Sequence, residues 1–261
     1  MSAEARAALV TGASSGIGRA AALAFAARGV NVCGLARRAD RLDALAGEIA
    51  ALPAPRGAFL PVAGDVTDAS ALYDAVAQVM AHYGRLDILV ANAGVGQRGA
   101  VADADWRDLE TVLRTNIDGV LHSVRAAVPA MRQTGGGHIV IVSSVAFNLV
   151  SPYAAAYAAS KAFVSSLARS LRLELAADGI HVTDILAGRT ATEFNERRLG
   201  NGRRTGQGVP TMPAERVAAA IVRAVERPGG TVVVRPFDRL VVWANVIAPG
   251  IMGRLARRQY R

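Results

Sequence analysis

Short, uninterrupted apolar runs alternate with longer helical stretches six times along the chain, and that alternation leaves few architectures open. The runs are Ala7–Thr11, Asn31–Leu35, Ala58–Val62, Leu86–Ala91, His138–Ser143, His181–Leu186 and Thr231–Val234. Most are continuous in Val, Ile, Leu and Ala, as strands covered on both faces require; a strand with one wet face alternates apolar and polar positions. Between them lie the helical stretches Gly16–Arg28, Arg41–Leu52, Ala69–Tyr83, an interrupted Trp106–Met131, Pro152–Ala177 and Ala214–Glu226. Parallel strands need crossovers, and helices supply them, so the pattern predicts a doubly wound α/β sheet of seven parallel strands with right-handed connections. No repeat or low-complexity linker divides the chain. Residues 1–236 are expected to form one domain, followed by a helical tail over 237–261.

A chain of 261 residues buries enough surface to fold without disulfides or metals. The lone cysteine, Cys33, has no partner within the chain and fits a reducing, cytoplasmic setting. The opening MSAEAR lacks an apolar stretch behind a basic one and is not read as a signal peptide. Residues 135–160 carry no Asp, Glu, Lys or Arg, but their Gly, Ser, Asn and Pro clusters argue against a membrane span. The formal charge is +9, and every basic side chain except Lys161 is Arg. The arginines are spread along the chain with no nucleic-acid reading module among them, so nucleic acid is not expected as a partner.

The first strand runs into Thr11-Gly12-Ala13-Ser14-Ser15-Gly16-Ile17-Gly18 and straight into an Ala-rich helix. Glycines there let the chain bend sharply and let backbone approach a pyrophosphate at the helix N-terminus, where free N–H groups favour an anion. The strand–turn–helix context supports that reading.

Tyr157 and Lys161 stand at i and i+4 on one helical stretch and project from one face. Ser151 is expected to cap that helix, with Pro152 at its first position. A phenol is protonated at neutral pH, and an ammonium one turn away is expected to lower its pKa, tuning Tyr157 as a general acid/base. Ser144, at the end of the fifth strand, is placed to orient the same substrate oxygen. That the sole Lys of an Arg-rich chain occupies this position fits a compact ammonium that Arg would not replace. Tyr153 lacks a Lys at i+4 and reads as a pocket wall.

TGASSGIG, Asn92-Ala93-Gly94 after the fourth strand, Ser144 and Tyr157-Ala158-Ala159-Ser160-Lys161 together resemble the short-chain dehydrogenase/reductase superfamily, over about Ala7 to Arg235. The resemblance implies a Rossmann-like domain and transfer of a hydride between a nicotinamide and a carbonyl or secondary alcohol. It implies that Lys161 also holds the ribose hydroxyls and that Asn116 extends the proton relay through a water. It places Gly12, Ser14, Ser15, Gly16, Ile17, Gly18, Asp65, Val66, Asn92, Ala93, Gly94, Gly188, Thr190 and Thr192 at the cofactor, and implies a homodimer or homotetramer. Ala187-Gly188 stands where the family has Pro-Gly, which frees one φ angle of this lip.

The second strand ends in Leu35-Ala36-Arg37-Arg38, with no carboxylate to grip a ribose 2′-hydroxyl. Arg37 suits a 2′-phosphate, and Arg38 is read as assisting it or stacking on the adenine, which selects NADP(H). Phe147, Leu149, Val150, Tyr153 and Phe194 suggest a small apolar carbonyl or alcohol substrate. Arg197–Val209 reads as a solvated loop, with a lid for an acidic substrate as the alternative. The tail, uncharged from Leu240 to Gly253 and then rich in Arg, is too short to span a bilayer; it packs on the domain or another subunit, or lies at a membrane surface. The alternatives to a reductase are a non-catalytic dinucleotide-binding sensor or partner protein, and a family enzyme of epimerisation or dehydration.

Overall fold

The computed structural model describes residues 5–202 and 211–259, with side chains through residue 254. In chain order its elements are β1 (Ala7–Thr11), α1 (Gly16–Ala26), β2 (Asn31–Ala36), α2 (Ala39–Ala50), β3 (Phe59–Ala63), α3 (Ala69–Tyr83), β4 (Ile88–Ala91), α4 (Trp106–Leu113), α5 (Gly119–Gln133), β5 (Gly137–Ser144), α6 (Ala155–Glu174), β6 (Ile180–Ala187), β7 (Thr190–Ala191), β8 (Met212–Pro213), α7 (Ala214–Glu226), β9 (Thr231–Val233), α8 (Pro236–Ile247) and α9 (Pro249–Gln259). Seven strands form one parallel sheet in the order β3-β2-β1-β4-β5-β6-β9. β7 and β8 make a separate two-stranded ribbon.

Two apolar cores sandwich the sheet. Ala7 and Leu9 of β1 point into the core shared with α3, α5 and α6; Ala8 and Val10 point into the core shared with α1, α2 and α7. Successive residues of each central strand therefore face different cores, which is why the runs are apolar without alternation. The strand order reverses between β1 and β4, so a crevice lies beyond their carboxyl ends, where open sheets of this kind bind ligands.

Two local expectations are corrected, and the expected interruption of the long helix is explained. Helix α6 starts at Ala155, not Pro152: the Ser151 hydroxyl donates to the Leu149 carbonyl at 3.2 Å rather than capping a helix. Tyr153 has φ +59°, a left-handed conformation that no α-helix contains, and its carbonyl accepts from the Gly99 amide at 2.8 Å. The interruption of the long helix between α4 and α5 is a π turn over Arg114–Asp118, with Asn116 fully buried inside it. Residues 197–202, read as a solvated loop, are partly exposed but held by backbone bonds. The Leu199 amide donates to Gly96, and Leu199 in turn accepts from the Arg98 amide, both at 2.9 Å, pinning this segment to the chain beyond β4. Residues 203–209 of that expected loop lie outside the described residues.

Candidate active site

The turn after β1 is built from positions only glycine fills. Gly12 and Gly16 have φ of +69° and +55°. A Cβ on Gly18 would strike the Gly12 carbonyl and come within 2.6 Å of Asn92 Nδ2, so the first turn of α1 can approach the strand end only without one. Ser15 occupies the N-cap in extended backbone and makes no side-chain bond to the helix, leaving the first-turn N–H groups without a side-chain cap. Thr192 stands across from the turn: a Cβ on Gly16 would lie 2.9 Å from its methyl. A narrow, backbone-lined cradle at an uncapped helix end suits a pyrophosphate, and on that ground the residues fit a dinucleotide.

Thr11 locks this turn to the end of β4. Its hydroxyl accepts from the Asn92 and Ala93 amides at 3.0 and 3.1 Å, and Asn92 Nδ2 donates to the Thr11 carbonyl at 2.9 Å. Asn92 is thus a strut, and the backbone of Ala93 and Gly94 borders the crevice. A Cβ on Gly94 would meet Asn116 Oδ1 at 3.1 Å and Lys161 Nζ at 3.5 Å, so both groups converge there. Asn116 accepts from the Val95 amide at 2.8 Å and donates to Ser160 Oγ at 3.0 Å. Ser160 donates to the Tyr157 carbonyl at 2.7 Å, which joins the π turn to α6.

Ser144 is buried at the end of β5, where its hydroxyl accepts from the Ala146 amide at 3.1 Å and stands close enough to the Tyr157 phenol to favour its ionised form. The Tyr157 ring lies tilted against Phe194, with centroids 5.7 Å apart. Lys161 Nζ is 6.0 Å from the same ring centroid and donates to the Val142 carbonyl at 2.9 Å. Burial of the phenol pushes its pKa above the ordinary value, while the Ser144 hydrogen bond and the Arg198 charge pull it back. The net direction is upward, and Lys161, expected to acidify the phenol, is not among its causes. Lys161 is itself desolvated, and burial lowers its pKa to about 8 against the opposing pull of Asp184.

At the other end of the crevice, Arg37 stands exposed with Nη1 3.7 Å from Asp65. Arg38 is committed: it donates to Ser14 Oγ at 3.1 Å and to Glu193 at 3.2 Å. Glu193 also draws Arg41 and Arg197, and these contacts hold its carboxyl below the usual carboxylate range, the Arg38 hydrogen bond foremost. Asp65 accepts from the Thr67 amide at 2.9 Å. The Val66 side chain is spent on packing against Gly119. Gly188 lies under the Arg235–Asp238 ion pair, and Thr190 donates to the Gly188 carbonyl at 3.0 Å. Both side the lip that carries Thr192, whose hydroxyl accepts from the Phe194 amide at 3.3 Å.

Several contributors were not singled out in the sequence. Thr11 sits inside the glycine turn. Arg198, stacked 5.8 Å from the Phe194 ring, brings a cation to Tyr157 from the segment read as a solvated loop. Asp184 is fully buried on β6, where it accepts from Ser143 and, at 2.6 Å, from Ser165. Its signal was available: it is the one acid inside an otherwise buried strand.

The model of the short chain dehydrogenase family matches residues 6–201. An uncharacterized oxidoreductase of Myxococcus xanthus (strain DK1622) is 41% identical over 190 residues, 72% of this chain and 74% of its own length. The closed form of serine dehydrogenase complexed with NADP+ superposes with a TM-score of 0.79 at 30% identity, over 87% of this chain and 93% of that one. The 3-ketoacyl-(acyl-carrier-protein) reductase of Brucella melitensis complexed with NADH gives 0.78 at 25% identity, over 88% and 96%.

Proposed function

Because the chain belongs to the short-chain dehydrogenase/reductase superfamily, we propose that it is an NADP(H)-dependent oxidoreductase acting on a carbonyl or secondary alcohol, with Tyr157 as the proton-transferring group. The observation that carries this reading is the convergence of Ser144 and Lys161 on Tyr157 beside the glycine turn. When bound, the nicotinamide supplies or accepts the hydride.

The chain's own residues do the rest. Gly12 to Gly18 and Thr192 hold the pyrophosphate, with Ser14, Ser15 and Ile17 forming the turn. Arg37 supports NADP(H), since its guanidinium is exposed beyond β2 where no acid opposes a 2′-phosphate except Asp65. Arg38 donates to Ser14 Oγ and so braces the glycine turn. Lys161 reaches the ribose hydroxyls from below Gly94, and Asn116 continues the proton path from it. Ser144 orients the substrate oxygen against the Tyr157 hydroxyl. Burial raises the Tyr157 phenol above its ordinary value, so the free protein holds it protonated at neutral pH, ready to give its proton to a substrate oxygen. Phe194, Phe147 and Leu149 favour an apolar substrate, with the Arg198 guanidinium lying over the Phe194 ring.

The test is a panel of aldehydes and ketones assayed with NADPH and NADH in parallel. Turnover with NADPH preferred is the expected result; tight NADPH binding with no turnover across the panel would instead indicate a dinucleotide sensor. Equal catalytic efficiency with both coenzymes would remove Arg37 from the reading.

A further inference from the structure

Helix α8 lies on the domain with Asp238 and Asn245 inward and Arg239 exposed. Its buried positions are Asp238, ion-paired with Arg235 at 2.6 Å, and Asn245, which donates to the Asn148 carbonyl in the turn after Ser144. These inward bonds fix the rotation of the helix. Its outward face carries Phe237, Leu240, Trp243, Val246 and Ile247, and Ile251 continues the exposed surface on α9. Leu240 is 69% exposed, Trp243 57% and Ile247 75%. Positions 237, 240, 243 and 247 recur at helical spacing, so on α8 they form one apolar stripe rather than scattered singles.

The charge around this stripe has one sign. From Arg239 onward the sequence contains Arg239, Arg254, Arg257, Arg258 and Arg261 and no Asp or Glu. Among the described residues no helix is long and apolar enough to cross a membrane. An outward apolar stripe followed by clustered arginines is the composition of a helix that lies in a headgroup layer. We infer that α8 and α9 dock this protein on the surface of an anionic bilayer, the stripe entering the headgroup layer and the arginines meeting lipid phosphates. A second copy seated on the stripe brings no acid from this tail to the arginines, whereas anionic lipid supplies the complementary charge. The docked helix borders the turn that follows Ser144, so the apolar side of the crevice lies next to the bilayer-facing surface.

The experiment is co-sedimentation of the full chain with phosphatidylcholine vesicles prepared with and without phosphatidylglycerol. The protein is expected to pellet with the phosphatidylglycerol vesicles, to stay in solution with phosphatidylcholine alone, and to be released as salt is raised. Leu240→Ser/Ile247→Ser and, separately, Arg257→Glu/Arg258→Glu should each weaken partitioning by at least about tenfold while the thermal midpoint is unchanged. Equal binding to both vesicle types, or unaltered binding by either variant, overturns the inference. So does a fall in solution mass of the Leu240→Ser/Ile247→Ser variant by light scattering, which would assign the stripe to a second copy.

Discussion

Lys161 stands one helical turn beyond Tyr157 with its ammonium 6.0 Å from the centre of the phenol ring, yet its hydrogen bond goes to the Val142 carbonyl. That bond does not reach the phenol oxygen, and burial is the largest cause of the shift of each group. Ser144 is the neighbour whose hydroxyl favours the ionised form of that phenol.

The phenol oxygen is therefore the atom to remove. Tyr157→Phe keeps the ring against Phe194 and deletes the proton donor. Carbonyl reduction with NADPH should fall by at least about 100-fold, with the unfolding midpoint unchanged. A steady-state assay showing wild-type turnover in this variant would exclude Tyr157 from the chemistry.

Lys161 sets the alkaline limb. Its pKa of about 8 means that it is charged below that pH and neutral above it, whereas Tyr157 is pushed above its ordinary value and stays protonated through the same range. The kcat/KM for carbonyl reduction should fall as pH rises through about 8. A profile flat through that point and breaking only above about 10 would assign the limb to the phenol instead.

The two arginines after β2 have separable tasks. Arg37 is exposed and weakly paired with Asp65, whereas Arg38 holds Ser14 and Glu193. Arg37→Ala should raise KM for NADPH by about tenfold to a hundredfold and leave KM for NADH nearly unchanged, as expected for losing one charge-assisted contact to a 2′-phosphate. Arg38→Ala should weaken both coenzymes alike, because it loosens the glycine turn itself. Fluorescence titration with each coenzyme separates these outcomes, and identical behaviour of the two variants would contradict the division.

The sheet and the Tyr157–Lys161 pair were legible because both rest on local spacing. Buried parallel strands write themselves as continuous apolar runs, and i, i+4 places two side chains on one helix face whatever lies around it. What escaped depends on contacts distant in sequence. The start of α6 moved to Ala155 because Tyr153 is drawn into a left-handed turn bonded to Gly99, and no pattern near Ser151 and Pro152 encodes that bond. Arg198 reaches Phe194 only because Leu199 pairs with the chain beyond β4. The direction of the Tyr157 shift followed from burial, which a helical spacing cannot report.

Asp184 ties the strand that carries Ser144 to the helix that carries Tyr157. Its two oxygens accept from Ser143 on β5 and Ser165 on α6, and it is fully buried. Asp184→Ala leaves both hydroxyls without their acceptor and should cost about 3 kcal/mol in urea unfolding, whereas Asp184→Asn retains an acceptor and should cost less. Equal costs for the two variants would show that packing, not hydrogen bonding, accounts for the loss.

His138 gives the fold an acid-sensitive point remote from the site. It is buried near the start of β5, with Nε2 2.8 Å from Thr183 Oγ1 and the His181 ring 5.9 Å away. Burial first, and His181 second, push its pKa down to about 4. In the unfolded chain the same imidazole protonates near 6.5, so as pH falls the unfolded state takes the proton first. The associated stability is fully present above about pH 6.5 and is lost progressively towards pH 4, up to about 3 kcal/mol. His138→Asn keeps a polar partner for Thr183 but cannot titrate. Urea unfolding at pH 7 and at pH 4.5 should show the wild type losing more stability than the variant between the two conditions. Carboxylates elsewhere contribute equally to both proteins, so the difference isolates this ring, and identical losses would place the acid sensitivity on other groups.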